Sequence, residues 1–227
     1  MAGAIHDGCR IKFGPDNKLY ITLGEAAQKD LAQKLDSLNG KILRINADGS
    51  IPADNPFRGS PIYSYGHRNP QGIDWDPQTN LLWATEHGPS GADGPGGGDE
   101  INLIKEGANY GWPLVSHDKT YPGTEFPKLL FTPAVAPAAG MFYRGDLFPE
   151  FKNNFFFAAL RGEGIYRLVI AGDKVISFEK LSGIDVGRIR EIVEGPDGAI
   201  YFTTSNRDGR GKLREGDDKI YRIVPKE

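Results

Sequence analysis

"WDPQTNLLWATEHG", residues 75–88, carries the pattern that predicts the fold of this chain. Proline beside aspartate marks a turn, and the apolar run with a central aromatic that follows is typical of a strand. The pattern recurs in "FGPDNKLYITLG" (13–24), in "EGPDGAIYFTTSN" (194–206) and, in a degenerate form, in "LFPEFKNNFFFAALRG" (147–162). A second apolar pattern follows each copy, in "GKILRIN" (40–46), "DEINLIK" (99–105), "GIYRLVI" (164–170) and "DKIYRIV" (218–224).

This two-strand repeat predicts an all-β protein. Its spacing of roughly forty to seventy residues is typical of β-propeller blades with loop insertions. We therefore expect four consecutive blades of about four short antiparallel strands each, arranged as an open arc. The alternative is a generic β-sandwich with similar turns. In a propeller, loops at one end of the blades converge on a central channel, so that is where a site is expected.

The composition excludes several classes of protein. With 39% hydrophobic and 25% charged residues, the chain is typical of an ordinary globular protein. A net charge of -3 gives no indication of nucleic acid as a partner. No apolar run has the length of a membrane span, and the first residues lack the features of a signal peptide. The single cysteine, Cys9, excludes an intramolecular disulfide.

Only "EAAQKDLAQKLDSL" (25–38) has apolar residues near helical spacing. It predicts either a helix or an irregular loop insertion.

Several loops carry cations that could meet at one end of the channel. They contain His6, Arg68, Arg161, Arg188 and Arg190. Arginine is suited to bidentate recognition of carboxylates, so such a group predicts a ligand with several carboxylates or phosphates. No Walker-type or dinucleotide glycine fingerprint accompanies these residues.

The glycine-rich loop "EHGPSGADGPGGGDE" (86–100) suggests a second kind of site. Asp99, Glu100 and the carbonyls of Gly88 and Pro89 are oxygen ligands of the kind that calcium takes. The alternative is a flexible, solvated loop without a ligand.

Four segments in order resemble one known family. They are "HDGCRIKFGPD" (6–16), "GHRNPQG" (66–72), "DEINLI" with "NYGWP" (99–113), and "GRIRE" (187–191). Together they resemble the soluble quinoprotein sugar dehydrogenases, which are six-bladed propellers that use pyrroloquinoline quinone (PQQ) and Ca²⁺. Segments 23–57 and 204–223 are similar to the bacterial aldose sugar dehydrogenase branch. The resemblance covers nearly the whole chain.

The resemblance implies a role for each candidate residue. His6 matches the catalytic base that takes the proton of the sugar's anomeric hydroxyl. Five residues match positions that bind the quinone: Arg68, Asn69, Arg161, Arg188 and Arg190. Gly88 and Pro89 match carbonyl ligands of the calcium beside the quinone, and Glu100 and Tyr110 match ligands of a second calcium. His67 is expected to serve the structure of its own loop.

The resemblance also implies the wider function. The expected reaction is oxidation of aldose sugars to lactones, with an external electron acceptor, in the periplasm or outside the cell for the full-length family member. Four blade repeats against six imply that residues 1–227 form a single, N-terminally truncated propeller domain with exposed blade edges that could support an oligomer. Cys9 replaces the usual glycine and is expected to lie close to His6. Two alternatives remain: a non-catalytic propeller that binds calcium or a partner, and a lactonase-like metal hydrolase. The second is disfavoured because the loops lack a clear set of convergent carboxylates.

Overall fold

The structure, a computed structural model that describes residues 3–226, consists of four antiparallel sheets that follow one another along the chain. The first sheet contains β1 (Ile11–Phe13), β2 (Leu19–Leu23), β3 (Lys41–Ile45) and β4 (Ile62–Tyr65). The second contains β5 (Pro70–Trp75), β6 (Leu82–Glu86), β7 (Asp99–Ile104) and β8 (Leu129–Phe131). The third contains β9 (Pro137–Phe142), β10 (Phe155–Ala159), β11 (Gly164–Ala171) and β12 (Lys174–Lys180). The fourth contains β13 (Ile189–Glu194), β14 (Ile200–Thr204) and β15 (Ile220–Ile223).

Every sheet is a meander in which strands adjacent in sequence pair with each other. The eight strands predicted from the repeats are all present, as the pairs β2–β3, β6–β7, β10–β11 and β14–β15. The predicted all-β propeller architecture is therefore confirmed, and the two-sheet sandwich is wrong. The fourth blade has three strands rather than the expected four among the described residues.

The turn before each repeated strand explains the Pro-Asp signature. In the first copy the Asp16 carboxylate accepts a hydrogen bond from the backbone N–H of Lys18, at 3.1 Å, and Asn17 adopts a φ of 58°. Asp197 does the same for Ala199 at 3.1 Å, with Gly198 in the left-handed position at φ 75°. Asparagine and glycine tolerate this conformation, so the turn chemistry fixes where each hairpin reverses.

The segment at residues 25–38 is mainly irregular, with a single 3₁₀ turn at Lys29–Gln33. Ala26 and Ala27 have φ values of 54° and 59°, which interrupt any helix there. A second 3₁₀ turn lies at Pro149–Phe151. Of the two predicted alternatives, the irregular insertion is therefore correct. No helix among residues 3–226 has the length and hydrophobicity needed to span a bilayer.

Three hydrophobic cores lie between successive sheets. Strand β10 shows how the sequence builds two of them: Phe155 and Phe157 face the second sheet, whereas Phe156 and Ala158 face the fourth. Because side chains alternate along a strand, a strand buried on both faces reads as a continuous apolar run. Within residues 3–226, no comparable core lies between the fourth sheet and the first. The blades thus form an open arc.

The first strands of the blades surround the central channel. Strand β9 packs against both β5 and β13. An ion pair between Lys12 and Asp74, at 2.7 Å, joins the first blade to the second. Another, between Arg10 and Glu191 at 2.8 Å, joins the first blade to the fourth. The loops that precede or follow these strands therefore meet at one end of the channel.

Candidate active site

A cavity of about 640 Å³ lies at that end of the channel. Its volume is in the range of cofactor and ligand pockets, about 300–1,000 Å³. Loops from all four blades line it. The lining includes eight of the ten residues predicted from sequence: His6, Arg68, Asn69, Gly88, Pro89, Arg161, Arg188 and Arg190. Glu100 and Tyr110 line a smaller cavity beside it.

His6 is held in one orientation by two neighbours. Its Nδ1 lies 2.5 Å from Oε1 of Glu25, and its Nε2 lies 2.9 Å from Nη2 of Arg68. Since a guanidinium can only donate, Nε2 carries the lone pair and Nδ1 carries the proton. The structure therefore presents His6 as a neutral imidazole whose Nε2 can accept a proton.

The backbone of His6 is shaped for this position. Its φ of 60° is unusual for a residue with a side chain and is a conformation found at functional sites. The segment packs so closely on Gly24 that a Cβ there would lie 1.8 Å from the His6 carbonyl oxygen. That carbonyl also accepts a hydrogen bond from the N–H of Ala26, at 2.9 Å. The insertion at residues 25–38 thus begins by fixing the histidine.

Glu86, at the end of β6, organises the "GHRNPQG" loop. Its Oε1 accepts hydrogen bonds from the backbone N–H groups of Arg68 and Asn69, and its Oε2 lies 2.8 Å from Nδ1 of His67. His67 is fully buried and stacks on Tyr110, with ring centroids 4.6 Å apart. It takes no part in lining the cavity, so its contacts are those of the loop's own structure.

Arg68 is the centre of a charged cluster. Its Nε donates to Asp93 at 2.7 Å, and its Nη2 donates to Ser90 at 3.1 Å as well as to His6. His6, Glu25 and Asp93 together could hold a metal ion, since their ligand atoms lie within 4.8 Å of one another. The guanidinium of Arg68 already supplies the cation there, bonding two of the three.

The arginines of the third and fourth blades differ in their partners. Arg188 donates from Nε and Nη2 to Asp208, at 2.9 and 2.7 Å. Arg190 reaches the same carboxylate only at 3.9 Å. Among residues 3–226, the guanidinium of Arg161 has no hydrogen bond or ion pair. Arg161, Arg188 and Arg190 line the same cavity as His6 and Arg68.

His87 adds a neutral polar group to the cavity wall. Desolvation and the charge of Arg68 lower the pKa of His87 to about 3. Its Nε2 is buried and has no hydrogen-bond partner within the described residues.

The carboxylate of Asp99, in the glycine-rich loop, has a different role from the one expected. Asp99 was an expected oxygen ligand for calcium, but its carboxylate accepts hydrogen bonds from the N–H groups of Gly88, Val135 and Ala136, at 2.8, 2.7 and 2.6 Å. Asp99 therefore holds the Gly88–Pro89 turn in place. Gly88 and Pro89 lie between the two cavities and line both.

The smaller cavity, of about 10 Å³, is close to the size that a single water or ion needs. Glu86, Glu100 and Tyr110 line it. Desolvation and the charge of Glu86 raise the pKa of Glu100 to about 8. Two carboxyl groups at one small cavity are a donor set that suits a hard cation.

Several residues of the site were not predicted from the sequence. Glu25 belongs to the irregular insertion, and Asp93, Asp208 and Arg210 belong to loops whose path depends on tertiary contacts. Asp208 and Arg210 line the cavity. Their spacing, in "TSNRDGRG" (204–211), could have marked them, since a charged run beside a strand end is a candidate for a channel-facing loop. Cys9 is exposed and is not among the residues that line the cavity, although its neighbour Gly8 is.

Comparison with known proteins agrees with this geometry. The family model for glucose/sorbosone dehydrogenases matches residues 1–215. Aldose sugar dehydrogenase YliI of Escherichia coli is 37% identical over 222 residues, which cover 90% of this chain and 58% of the E. coli protein. The chain thus spans little more than half the length of that curated relative.

Two solved structures have closely similar folds. The PQQ-bound form of an aldose sugar dehydrogenase from Streptomyces coelicolor superposes with a TM-score of 0.86 at 38% identity, covering 98% of this chain and 63% of that one. A Thermus thermophilus oxidoreductase described as a glucose dehydrogenase superposes with a TM-score of 0.88 at 45% identity, covering 99% and 68%.

Proposed function

Because this chain belongs to the glucose/sorbosone dehydrogenase family, we propose that it carries the site of a quinoprotein oxidoreductase. The reaction is oxidation of the anomeric carbon of an aldose sugar to a lactone, with hydride transfer to PQQ in the presence of Ca²⁺. An external electron acceptor completes the cycle, in the periplasm or outside the cell. The family, the fold and a PQQ-bound neighbour support this proposal.

The observation that carries the proposal is the set of arginines around one cavity of cofactor size. Five line it: Arg68, Arg161, Arg188, Arg190 and Arg210. PQQ has three carboxylates and several further oxygens, so the donors present fit this group. Arg68, Asn69, Arg161, Arg188 and Arg190 would hold it. The bound quinone would supply the hydride acceptor, and calcium would supply a Lewis acid beside it.

Calcium has two proposed positions. Gly88 and Pro89 would offer carbonyl oxygens at the wall of the large cavity. Glu100 and Tyr110 would contribute to a second site in the small one. The juxtaposed Glu86 and Glu100 carboxyls support the second position, because a divalent cation relieves their mutual repulsion.

His6 is the proposed general base. Its Nε2 would accept the proton of the anomeric hydroxyl, and Glu25 would stabilise the imidazolium that results, because its carboxylate is bonded to Nδ1. Glu25 also prevents the ring from turning. In the structure Arg68 occupies the lone pair of Nε2, so the sugar hydroxyl would compete with Arg68 for the same acceptor.

Reconstitution tests the proposal directly. Purified protein is mixed with PQQ and CaCl₂, cofactor binding is followed by absorbance, and dye reduction is measured with and without glucose. The expected result is calcium-dependent PQQ binding and sugar-dependent dye reduction that is lost in His6→Ala. Failure of PQQ to bind at any calcium concentration would overturn the proposal.

A further inference from the structure

The cavity arginines fall into two groups by their partners. Arg68 and Arg188 are each hydrogen-bonded to a loop carboxylate, from Asp93 and Asp208 respectively. These contacts orient the two guanidiniums and compensate part of their charge.

The other three cavity guanidiniums have a weaker protein partner or none. Within residues 3–226, Arg161 and Arg210 form no side-chain hydrogen bond or ion pair, and Arg190 approaches Asp208 only to 3.9 Å, beyond hydrogen-bond distance. Desolvation lowers the pKa of Arg190; the charge of Asp208 opposes that shift, and the charges of Arg188 and Arg210 add to it. An anion in the cavity would relieve this repulsion.

Arg210 is held at the cavity by a tight turn rather than by its side chain. Its N–H donates to Oδ1 of Asp208, at 2.9 Å. At Gly211 a Cβ would lie 2.7 Å from the backbone oxygen of Asn206 and 2.9 Å from Cδ of Arg188. Asn206 is itself buried and accepts a hydrogen bond from the N–H of Arg188 at 2.9 Å. The turn that carries Arg210 is thus packed directly on Arg188.

We propose that Arg161, Arg190 and Arg210 form a three-point receptor for a tricarboxylate, in which Arg210 is a further cofactor-binding residue. This inference rests on the proposed function, since PQQ presents three carboxylates. Asp208 orients Arg188 through two hydrogen bonds and positions the turn of Arg210. Arg190 lies beyond hydrogen-bond distance of Asp208, at 3.9 Å.

The test compares two ligands on three proteins. The dissociation constants of PQQ (with CaCl₂) and of benzene-1,3,5-tricarboxylate are measured by calorimetry for the wild type, Arg210→Gln and Lys212→Gln. Lys212 is exposed on the same loop and does not line the cavity, so it controls for the change in net charge. Arg210→Gln should weaken both ligands about tenfold, as expected for a partly exposed hydrogen bond between charged groups, and Lys212→Gln should not.

The outcomes separate this inference from the proposed function. If PQQ binds the wild type and Arg210→Gln leaves both affinities unchanged, the receptor is wrong while the proposed function stands. If the tricarboxylate binds in an Arg210-dependent way and PQQ does not bind, the receptor stands and the proposed function fails. If neither ligand binds the wild type, both are overturned.

Discussion

At the scale of single residues, the site depends on groups that fix one another. Neither Glu25 nor His6 is distinctive as an isolated side chain. The 2.5 Å contact between Glu25 and Nδ1 of His6 leaves Nε2 as the proton acceptor. Once Nε2 is protonated, the Glu25 carboxylate is the counter-ion of the imidazolium. Glu86 acts in the same way on the backbone of Arg68 and Asn69.

His6→Ala should lower the turnover of the reconstituted enzyme by about 10²- to 10⁴-fold, the usual contribution of a positioned general base. The affinity for PQQ should stay nearly unchanged, because the arginines are untouched. His67→Ala should instead lower thermal stability more than turnover, because His67 is fully buried in its loop. Steady-state dye reduction, PQQ titration and thermal melts measure the three quantities. Full turnover of His6→Ala with PQQ bound would show that His6 is not the base.

Calcium should raise the melting temperature of the protein by binding the native state only. Glu100→Ala should remove most of that gain, because it deletes one of the two carboxyl groups of the small cavity. Differential scanning calorimetry at several calcium concentrations measures the effect. Glu106→Ala is the matched control, since Glu106 is exposed on the turn after β7. An equal calcium shift in Glu100→Ala and the wild type would argue against the site.

At the scale of elements, one buried lysine at the start of β3 stabilises the irregular insertion between β2 and β3. Lys41 is fully buried, and its ammonium donates to the carbonyls of Leu31, Ala32 and Asn39, at 2.9, 2.9 and 2.7 Å. The carbonyls of Leu31 and Ala32 also accept hydrogen bonds from the backbone N–H groups of Lys34 and Gly66. The insertion that begins with Glu25 can therefore be irregular without leaving its backbone unpaired.

Lys41→Met should lower the free energy of unfolding by about 1–3 kcal/mol, because it removes the hydrogen bonds of the ammonium to three backbone carbonyls at nearly constant volume. Lys29→Met, at an exposed position of the same insertion, should change it little. Urea denaturation followed by tryptophan fluorescence measures both. A Lys41→Met protein as stable as the wild type would show that water replaces the ammonium.

At the scale of the whole molecule, Asp74 joins three blades. It is fully buried in β5 and is bonded to Lys12 of the first blade at 2.7 Å, and to Arg144 and the N–H of Phe142 in the third, at 2.8 and 2.7 Å. Burial alone would raise the pKa of Asp74, but the hydrogen bonds and charge of Arg144 and Lys12 outweigh it and hold the pKa below its ordinary value.

Since its folded pKa lies below the unfolded value of about 3.9, Asp74 binds fewer protons in the native state. Its stabilisation is therefore complete above about pH 4 and is lost as the pH falls through the folded pKa. Asp74→Asn should cost about 3 kcal/mol at pH 7, and the gap to the wild type should narrow below pH 4. Denaturant titrations across this range measure the gap. The exposed Asp30→Asn should show no such trend; a constant gap for Asp74→Asn would contradict the linkage.

The two end blades of the arc should mediate self-association. Ile11 and Phe13 on β1 are 60% and 57% exposed, and Ile220 on β15 is 76% exposed. Apolar side chains grouped on a sheet face favour association. Sedimentation equilibrium should detect oligomers at high concentration, and Phe13→Lys with Ile220→Lys should shift the protein to monomer. A wild type that is monomeric throughout would contradict this prediction.

The sequence by itself determined the repeated strands, because turn chemistry and alternation are local properties that short segments carry. Asp16 and Asn17 specify their hairpin without help from distant residues. The sequence also contained the loop cations, and the family resemblance assigned them to one site. Segment 25–38 was different, since its apolar spacing allowed a helix and local propensity could not choose.

Only the tertiary structure decided how the site residues are paired. Glu25 contacts His6, and Asp208 forms hydrogen bonds with Arg188 but not with Arg190, because separate loops converge at the channel end. Contacts of this kind between loops leave no periodic pattern in the sequence. The same reason applies to Asp99, which composition suggested as a metal ligand and which instead accepts three backbone N–H groups. A carboxylate's role depends on which donors reach it, and the fold of the chain sets those donors.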